Sequence, residues 1–245
     1  MRAYAKVNIF LKITGKRGDY HEILSRFMLV KNLFDELSFV PRVEKDAPFE
    51  IIGTFSCAME QNTIYKAFVA LREVLGQTKE RELCEFMKNH AVLVEKNIPA
   101  FAGLGGGSSD AASFLTMCND ALSLGLGVKE LAAVGLKVGA DVAFFLFGYD
   151  SATVSGIGEI VEKFDEPLLE LEVFTPAVEI SPQAVYRCYR DNFYAPIDAQ
   201  YAQKLRNSSS AQLLGSMKIA QANDLFAPAL VCYPQLSGFL KDGYF

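Results

Sequence analysis

Residues 100–112, A-F-A-G-L-G-G-G-S-S-D-A-A, hold the residue types best suited to gripping an anion. Gly103, Gly105, Gly106 and Gly107 precede Ser108 and Ser109, and an alanine-rich run follows. Consecutive glycines let backbone amides approach a negative ligand, because no side chain stands in the way. A helix starting at Ser108 or Ser109 would add its unsatisfied N–H groups and the positive end of its dipole. Phosphate is the natural occupant, and the two hydroxyls can add hydrogen bonds or help hold a metal ion. Two familiar phosphate loops fail the comparison. No Lys-Ser or Lys-Thr pair follows the last glycine, and the run from Gly103 reads G-L-G-G-G-S rather than G-x-G-x-x-G. The competing reading is a flexible strand-to-helix turn, although ordinary turns need only one or two glycines.

Other residues are candidates for proton transfer and recognition. Lys6 and Asn8 lie two apart in an alternating segment, so a strand puts them on one face. A lysine there is ordinarily solvated. Asp141 follows Val-Gly-Ala and precedes the apolar run Val-Ala-Phe-Phe-Leu-Phe. It reads either as a helix cap or as a carboxylate at an apolar boundary that can accept a proton. Tyr20 and His21 pair a ring with an imidazole beside glycine and basic residues. His90, the second of only two histidines, lies at a strand start and has no assigned role. No His/Cys cluster has metal-ligand spacing, and no Ser/His/Asp set is discernible.

The elements that must position these groups follow from periodicity. Residues 3–13 alternate, with Ala5, Val7, Ile9, Leu11 and Ile13 on one face and Lys6, Asn8, Phe10 and Lys12 on the other. That pattern predicts a strand with one buried and one polar face. Residues 14–21 read as a loop, and 23–40 and 49–55 as further strands. Residues 62–76 predict a helix with Asn62 as cap and Gly76 as stop. Residues 90–96 predict a strand ending at Lys96, followed by Pro99 and the glycines. Ala111, Leu115, Cys118 and Leu122 make one helical stripe. Residues 128–148 give a short helix, a turn at Gly139 and an apolar segment ending at Gly148. Residues 152–164 and 169–180 predict strands. A helix follows with Ser181 as cap and Pro182 at its first position, and residues 196–230 look mostly helical. Strands and helices mix without regular alternation, which predicts an α+β fold. A domain boundary is expected near residue 150, giving domains over 1–150 and 151–245.

The totals set the class. With 245 residues, half of them apolar, the chain can bury an ample core. No run suits a membrane span, and the alternating first segment is not expected to be a signal peptide. Five scattered cysteines (Cys57, Cys84, Cys118, Cys188 and Cys232) form no Cys-x-x-Cys pair. They predict reduced thiols in a cytoplasmic protein rather than a disulfide framework or zinc site. A net charge of −5 argues against a nucleic-acid partner, though not against an anionic small ligand.

Four segments together resemble the GHMP kinase superfamily, whose members include kinases of galactose, homoserine and mevalonate. They are A-Y-A-K-V-N-I-F-L-K-I-T-G-K-R-G-D-Y-H-E-I, the P-A-F-A-G-L-G-G-G-S-S-D-A-A loop, G-A-D-V-A-F-F-L-F-G and A-N-D-L-F-A-P-A-L. In order and spacing they resemble the family that phosphorylates 4-diphosphocytidyl-2-C-methyl-D-erythritol, over residues 3 to about 230. The resemblance implies a two-domain α+β fold. An N-terminal mixed α/β domain would carry the phosphate loop, a C-terminal ferredoxin-like sandwich would follow, and the active site would lie in the cleft. It implies transfer of the ATP γ-phosphoryl group to the substrate's 2-hydroxyl, in the non-mevalonate route to isoprenoid precursors. It implies Asp141 as general base, with Lys6 orienting it and keeping it ionised. Asn8 would lie at the substrate, with the cytosine held by Tyr20, His21 and Tyr186. Gly103, Gly105, Gly106, Gly107, Ser108 and Ser109 would take the ATP phosphates, with Asn62, Lys96 and Pro99 around the rest of the nucleotide. Mg²⁺ would be held mainly by the phosphates, with Ser109 as the protein hydroxyl nearest that role.

Three departures accompany the resemblance. The family usually reads Asp-Gly-Tyr-His where this chain has Gly18-Asp19-Tyr20-His21, in a loop one residue shorter. It often has threonine where Pro182 stands, leaving Ser181 as the neighbouring hydroxyl. A further glycine-rich motif of the family is not met before Lys-Asp-Gly-Tyr-Phe at 241–245, so the second domain is expected to be incomplete there. The alternatives are a homoserine- or mevalonate-type kinase of the same superfamily, and a nucleotide-binding protein without catalysis.

Overall fold

The structure, a computed structural model, describes residues 1–42 and 47–240. The C-terminal residues 241–245, on which the missing-motif expectation fell, lie outside the described residues. In chain order the elements are β1 (Arg2–Arg17), β2 (Tyr20–Pro41), β3 (Ile51–Ile52), α1 (Thr63–Val74), α2 (Gln77–Asn89) and β4 (His90–Glu95). Then come α3 (Gly106–Ala121), α4 (Val128–Leu136), α5 (Val142–Phe147), β5 (Ser151–Gly156) and β6 (Ile160–Lys163). Five helices follow: α6 (Pro182–Asn192), α7 (Ala199–Asn207), α8 (Ser210–Ser216), α9 (Ile219–Ala222) and α10 (Phe226–Cys232). The class is α+β, as expected.

Two compact units divide the chain discontinuously. The first comprises Met1–Ala5, Val30–Ala100 and Gly105–Gly148; the second comprises Lys6–Leu29, Phe101–Leu104 and Tyr149–Phe245. The switch at Gly148 falls beside the expected boundary. Residues 6–29, placed by the sequence in the first domain, pack instead with the second unit. The reason is strand length: β2 runs for 22 residues, so its two halves enter different units.

In the first unit the second half of β2 pairs antiparallel with β4, Leu37 opposite Val94, and β3 pairs parallel with β4, Ile51 opposite Val92. Helices α1, α3, α4 and α5 pack together. Ile64, Phe68, Leu71, Leu83, Phe114, Leu115 and Val142 fill the core, and Phe49 stacks on Phe68 at 4.5 Å. The expected strand over 49–55 contracts to two residues, because Phe49 leaves the ladder for this aromatic cluster. Asn62 caps α1 as predicted, its side chain accepting from the Ile64 amide. Gly76 is not a simple stop. Leu75 ends α1, and Gly76 is the N-cap of α2, a helix the sequence left unassigned. The apolar segment 142–147 is helical and ends on left-handed Gly148, φ 67°.

In the second unit the first half of β2 pairs with β5, Ser25 opposite Val154, and β5 pairs with β6, Thr153 opposite Glu162. The loop expected over 14–21 reduces to Gly18-Asp19, with Gly18 at φ 60°, because both strands extend into it. A two-residue hairpin turn of this kind needs a residue tolerant of positive φ. The strand expected over 169–180 does not form. Leu169 and Leu171 pack onto the Ile9–Phe10–Leu24 cluster without a ladder, and Pro176 brings no N–H for one. Ser181 caps α6 with Pro182 in its first turn, as predicted.

The polar face of β1 is covered, contrary to expectation. Lys6 and Lys12 are only 5% and 7% exposed. Lys12 is neutralised by Asp224 of the Ala-Asn-Asp-Leu segment, whose second oxygen accepts from the Ile13 amide. Burying a lysine requires such a partner.

Candidate active site

The glycine run shapes the start of α3. Gly105 adopts the left-handed conformation, φ 72° and ψ 15°, and serves as N-cap of α3. The helix therefore starts at Gly106, two residues before the expected start, because only glycine takes that φ without strain. The first-turn amides of Gly106, Gly107 and Ser108 have no carbonyl four residues back within the helix and face outward from its positive end. Side chains at two of these positions would crowd their protein neighbours. A Cβ on Gly106 would lie 2.9 Å from Ile98 Cγ2, and one on Gly107 would lie 3.1 Å from Thr63 Oγ1. Thr63 donates to the Gly107 carbonyl at 2.6 Å, tying the start of α1 to the start of α3. Asn62 is thereby placed beside the loop, though its carbonyl oxygen is used in capping. Gly103 is also left-handed at φ 74°, and Pro99 is exposed.

Beneath the glycine turn lies a buried charge cluster. Lys96 Nζ donates to Asp35 and, at 2.7 Å, to Asp110. The other oxygen of Asp35 accepts from the amides of Asn97 and Ile98. Asp110 has no such help: its second oxygen is buried without a partner. Burial, together with the charge of Asp35, outweighs the pull of Lys96 and raises the Asp110 carboxyl to about 7. Lys96 is desolvated, but the two carboxylates more than compensate and hold its ammonium above the usual lysine value.

In the second unit Lys6 Nζ donates to Asn8 Oδ1 at 2.7 Å and sits 4.5 Å from the centre of the Phe27 ring. Asn8 donates onward to Ser25 at 3.0 Å, and Ser25 donates to the Phe10 carbonyl. Lys6 and Asn8 thus share one face, as their spacing predicted. The Lys6 amide donates to the Leu104 carbonyl at 2.9 Å, which ties β1 to the residue immediately before Gly105. In the first unit Asp141 occupies the N-cap position of α5, yet its side chain makes no capping hydrogen bond. The cap that the sequence offered as one reading is therefore not formed by its side chain.

The aromatic candidates do not all converge. The His21 ring stacks on Tyr186 at 5.4 Å and meets Tyr189 edge-on at 5.7 Å. Its Nε2 is buried without a hydrogen-bond partner. Burial first, then the charges of Lys16 and Arg190, lower its basicity, so the imidazole is neutral near pH 7. Tyr20, the adjacent strand residue, is 66% exposed. Neighbouring strand residues point to opposite faces, which separates the two rings.

Sequence reasoning missed Asp35, Thr63, Ile98 and Asp110. Asp110 alone left a signal, as an acidic residue inside an otherwise small and apolar helical run. Among the described residues no group of three or more His, Cys, Asp or Glu side chains is arranged to hold a metal ion. Nor is any helix long and apolar enough to cross a membrane.

Comparisons with known proteins place the chain among kinases. Residues 62–149 match the family model described as GHMP kinases N terminal domain. A 4-diphosphocytidyl-2-C-methyl-D-erythritol kinase of Sulfurimonas denitrificans is 59% identical over 244 residues, covering 100% of this chain and 91% of the relative. A kinase of the same name from Campylobacter jejuni subsp. doylei is 41% identical over 249 residues, covering 100% and 95%. A crystal structure of 4-(cytidine 5'-diphospho)-2C-methyl-D-erythritol kinase aligns at TM-score 0.70 and 28% identity, over 98% of this chain and 80% of the other. A mevalonate diphosphate decarboxylase from Legionella pneumophila aligns at TM-score 0.53 and 14% identity, over 79% and 64%, and shares the fold.

Proposed function

The chain belongs to the 4-diphosphocytidyl-2-C-methyl-D-erythritol kinase family of the GHMP kinases, and on that premise we propose that it transfers the γ-phosphoryl group of ATP to the 2-hydroxyl of 4-diphosphocytidyl-2-C-methyl-D-erythritol. It is an ATP-dependent small-molecule kinase acting in the non-mevalonate route to isoprenoid precursors. The full-length likeness to the curated kinases carries this reading. The homoserine- and mevalonate-kinase alternatives are not favoured by it, nor is a binding protein without catalysis.

The residue roles are our proposal. Phosphoryl transfer asks the protein mainly to position groups and neutralise charge. The outward amides of Gly106, Gly107 and Ser108, with the hydroxyls of Ser108 and Ser109, take the phosphate oxygens; Gly103 and Gly105 shape the approach. A cradle that added Cβ atoms would crowd supports this assignment. Lys96, Asn62 and Pro99 border the same nucleotide. Mg²⁺ would arrive with ATP, held by the phosphates and the Ser109 hydroxyl, and would supply charge neutralisation there. Asp141 accepts the proton of the 2-hydroxyl as that oxygen attacks phosphorus. Lys6, oriented through its hydrogen bond to Asn8, stabilises the charge that develops. His21 and Tyr186 hold the cytosine, and Tyr20, on the opposite strand face, does not share that stack. The buried, unpartnered Nε2 of His21 supports a ligand whose polar edge satisfies it. We assign ATP binding to the unit that carries α3 and its glycine turn, and the cytosine site to the unit that carries His21 and Tyr186. The cytoplasm is the proposed compartment, supported by the five free cysteines.

A coupled ADP-release assay tests the reading. Mg·ATP is supplied with 4-diphosphocytidyl-2-C-methyl-D-erythritol, mevalonate or homoserine in separate reactions. Turnover with the first alone is expected, and turnover with either of the others would remove the cytosine assignment.

A further inference from the structure

Cys188 and Cys232 are 44 positions apart in the sequence, yet Cys232 packs against the turn of α6 that carries Cys188. Several contacts hold them there. Cys232 Sγ lies 3.8 Å from the carbonyl of Ala184, one helical turn before Cys188 on the same face of α6. Asn192 Nδ2 lies 3.9 Å from Cys188 Sγ. Tyr233, next to Cys232, accepts a hydrogen bond from the Ser181 amide at the start of α6, at 2.9 Å. Both thiols are partly accessible, whereas Cys118 is buried and its thiol is pushed far above the usual range. A buried thiol of that kind is inert.

We propose that Cys188 and Cys232 form a dithiol modification site, which a peroxide converts to a disulfide that locks α6 onto α10. The chemistry balances. One thiol sulfur attacks the peroxide, the O–O bond breaks, and a sulfenic acid and water result. The second thiol attacks that sulfur, the S–O bond breaks, and the disulfide forms as a second water leaves. Each sulfur is oxidised by one electron, and one hydrogen peroxide is reduced to two waters. Burial and its neighbour Cys188 push the Cys232 thiol up. A dithiol reductant reverses the link. The consequence reaches the site because α6 also carries Tyr186, which stacks on His21, and Tyr189, which meets that ring edge-on. Fixing α6 thereby restricts the aromatic wall assigned to the cytosine. This last step rests on the proposed substrate reading.

The test treats the full chain with hydrogen peroxide and reads three quantities. Mass spectrometry is expected to find a peptide linked through Cys188 and Cys232, lost on reduction and absent in Cys188→Ser and Cys232→Ser. Amide hydrogen exchange across 182–192 is expected to slow in the linked protein. KM for the diphosphocytidyl substrate is expected to shift several-fold with KM for ATP unchanged. Absence of the linked peptide while Cys57 becomes oxidised overturns the proposal, as does a link that leaves α6 exchange unaltered. A link that slows exchange without moving the substrate KM supports the dithiol and counts instead against the cytosine placement.

Discussion

Lys96 Nζ lies 2.7 Å from one oxygen of Asp110, while the other oxygen of that carboxylate is buried with no hydrogen-bond partner. The same ammonium also serves Asp35, so two buried carboxylates share a single cation directly below the glycine cradle. The start of α3 is anchored by this cluster rather than by a side-chain cap. The first prediction concerns what happens when the cation is removed. Lys96→Met should destabilise the chain by about 3–5 kcal/mol, because it leaves uncompensated buried carboxylates. Chemical denaturation measures it, and a loss under about 1 kcal/mol would show that the pair is not stabilising.

Asp110 also predicts a pH dependence. Its carboxyl titrates at about 7 in the fold against 3.8 in the unfolded chain, so the folded state binds the extra proton between those values. Stability from this group is therefore fully present below about 4 and is lost as pH rises towards 7. Asp110→Asn, which cannot ionise, should flatten the denaturation midpoint across that window. An unchanged slope would refute the assignment.

Gly106→Ala should raise KM for ATP by about tenfold, equivalent to about 1.4 kcal/mol of lost binding. The new Cβ would meet Ile98 Cγ2 at 2.9 Å and Ile98 Cβ at 3.2 Å, a branched side chain with little room to yield. Steady-state kinetics against ATP, with the second substrate saturating, reads the effect. KM for the second substrate should move little.

Asp141→Asn should lower kcat by about 10²–10⁴-fold, the usual worth of a positioned general base. Nucleotide binding, followed by titration with ADP, should be kept. A variant with near-normal turnover would remove Asp141 from that role.

His21→Ala should raise KM for the diphosphocytidyl substrate far more than KM for ATP. Because burial lowers the imidazole below its ordinary 6.5, the neutral ring persists to below that pH. Substrate KM in the parent protein should then rise only as pH falls under about 6.5, as the ring gains its proton. Equal effects on both substrates would place His21 outside the cytosine site.

Much of this was legible in the residues themselves. The glycine turn, the caps Asn62 and Ser181, the shared face of Lys6 and Asn8 and the α+β class all depend on local rules. Glycine tolerates φ 72° at residue 105, short polar side chains satisfy helix-end amides, and strands alternate. Local rules also set the errors. Alternation over 169–180 imitates a strand, but a ladder needs a partner edge that no local pattern supplies. Residues 77–89 bury only Leu83 and Met87, too thin a stripe to announce α2.

The sequence by itself determined the glycine turn that opens α3 and which residue types lie near it in the chain. Only the tertiary structure decided which charges and rings meet. Asp35, Lys96 and Asp110 form one cluster, His21 rests on Tyr186, and Cys232 packs on the α6 turn before Cys188. The physical reason is that backbone conformation responds to neighbours in the chain, whereas a buried charge, ring or thiol is satisfied by whatever long-range packing brings to it.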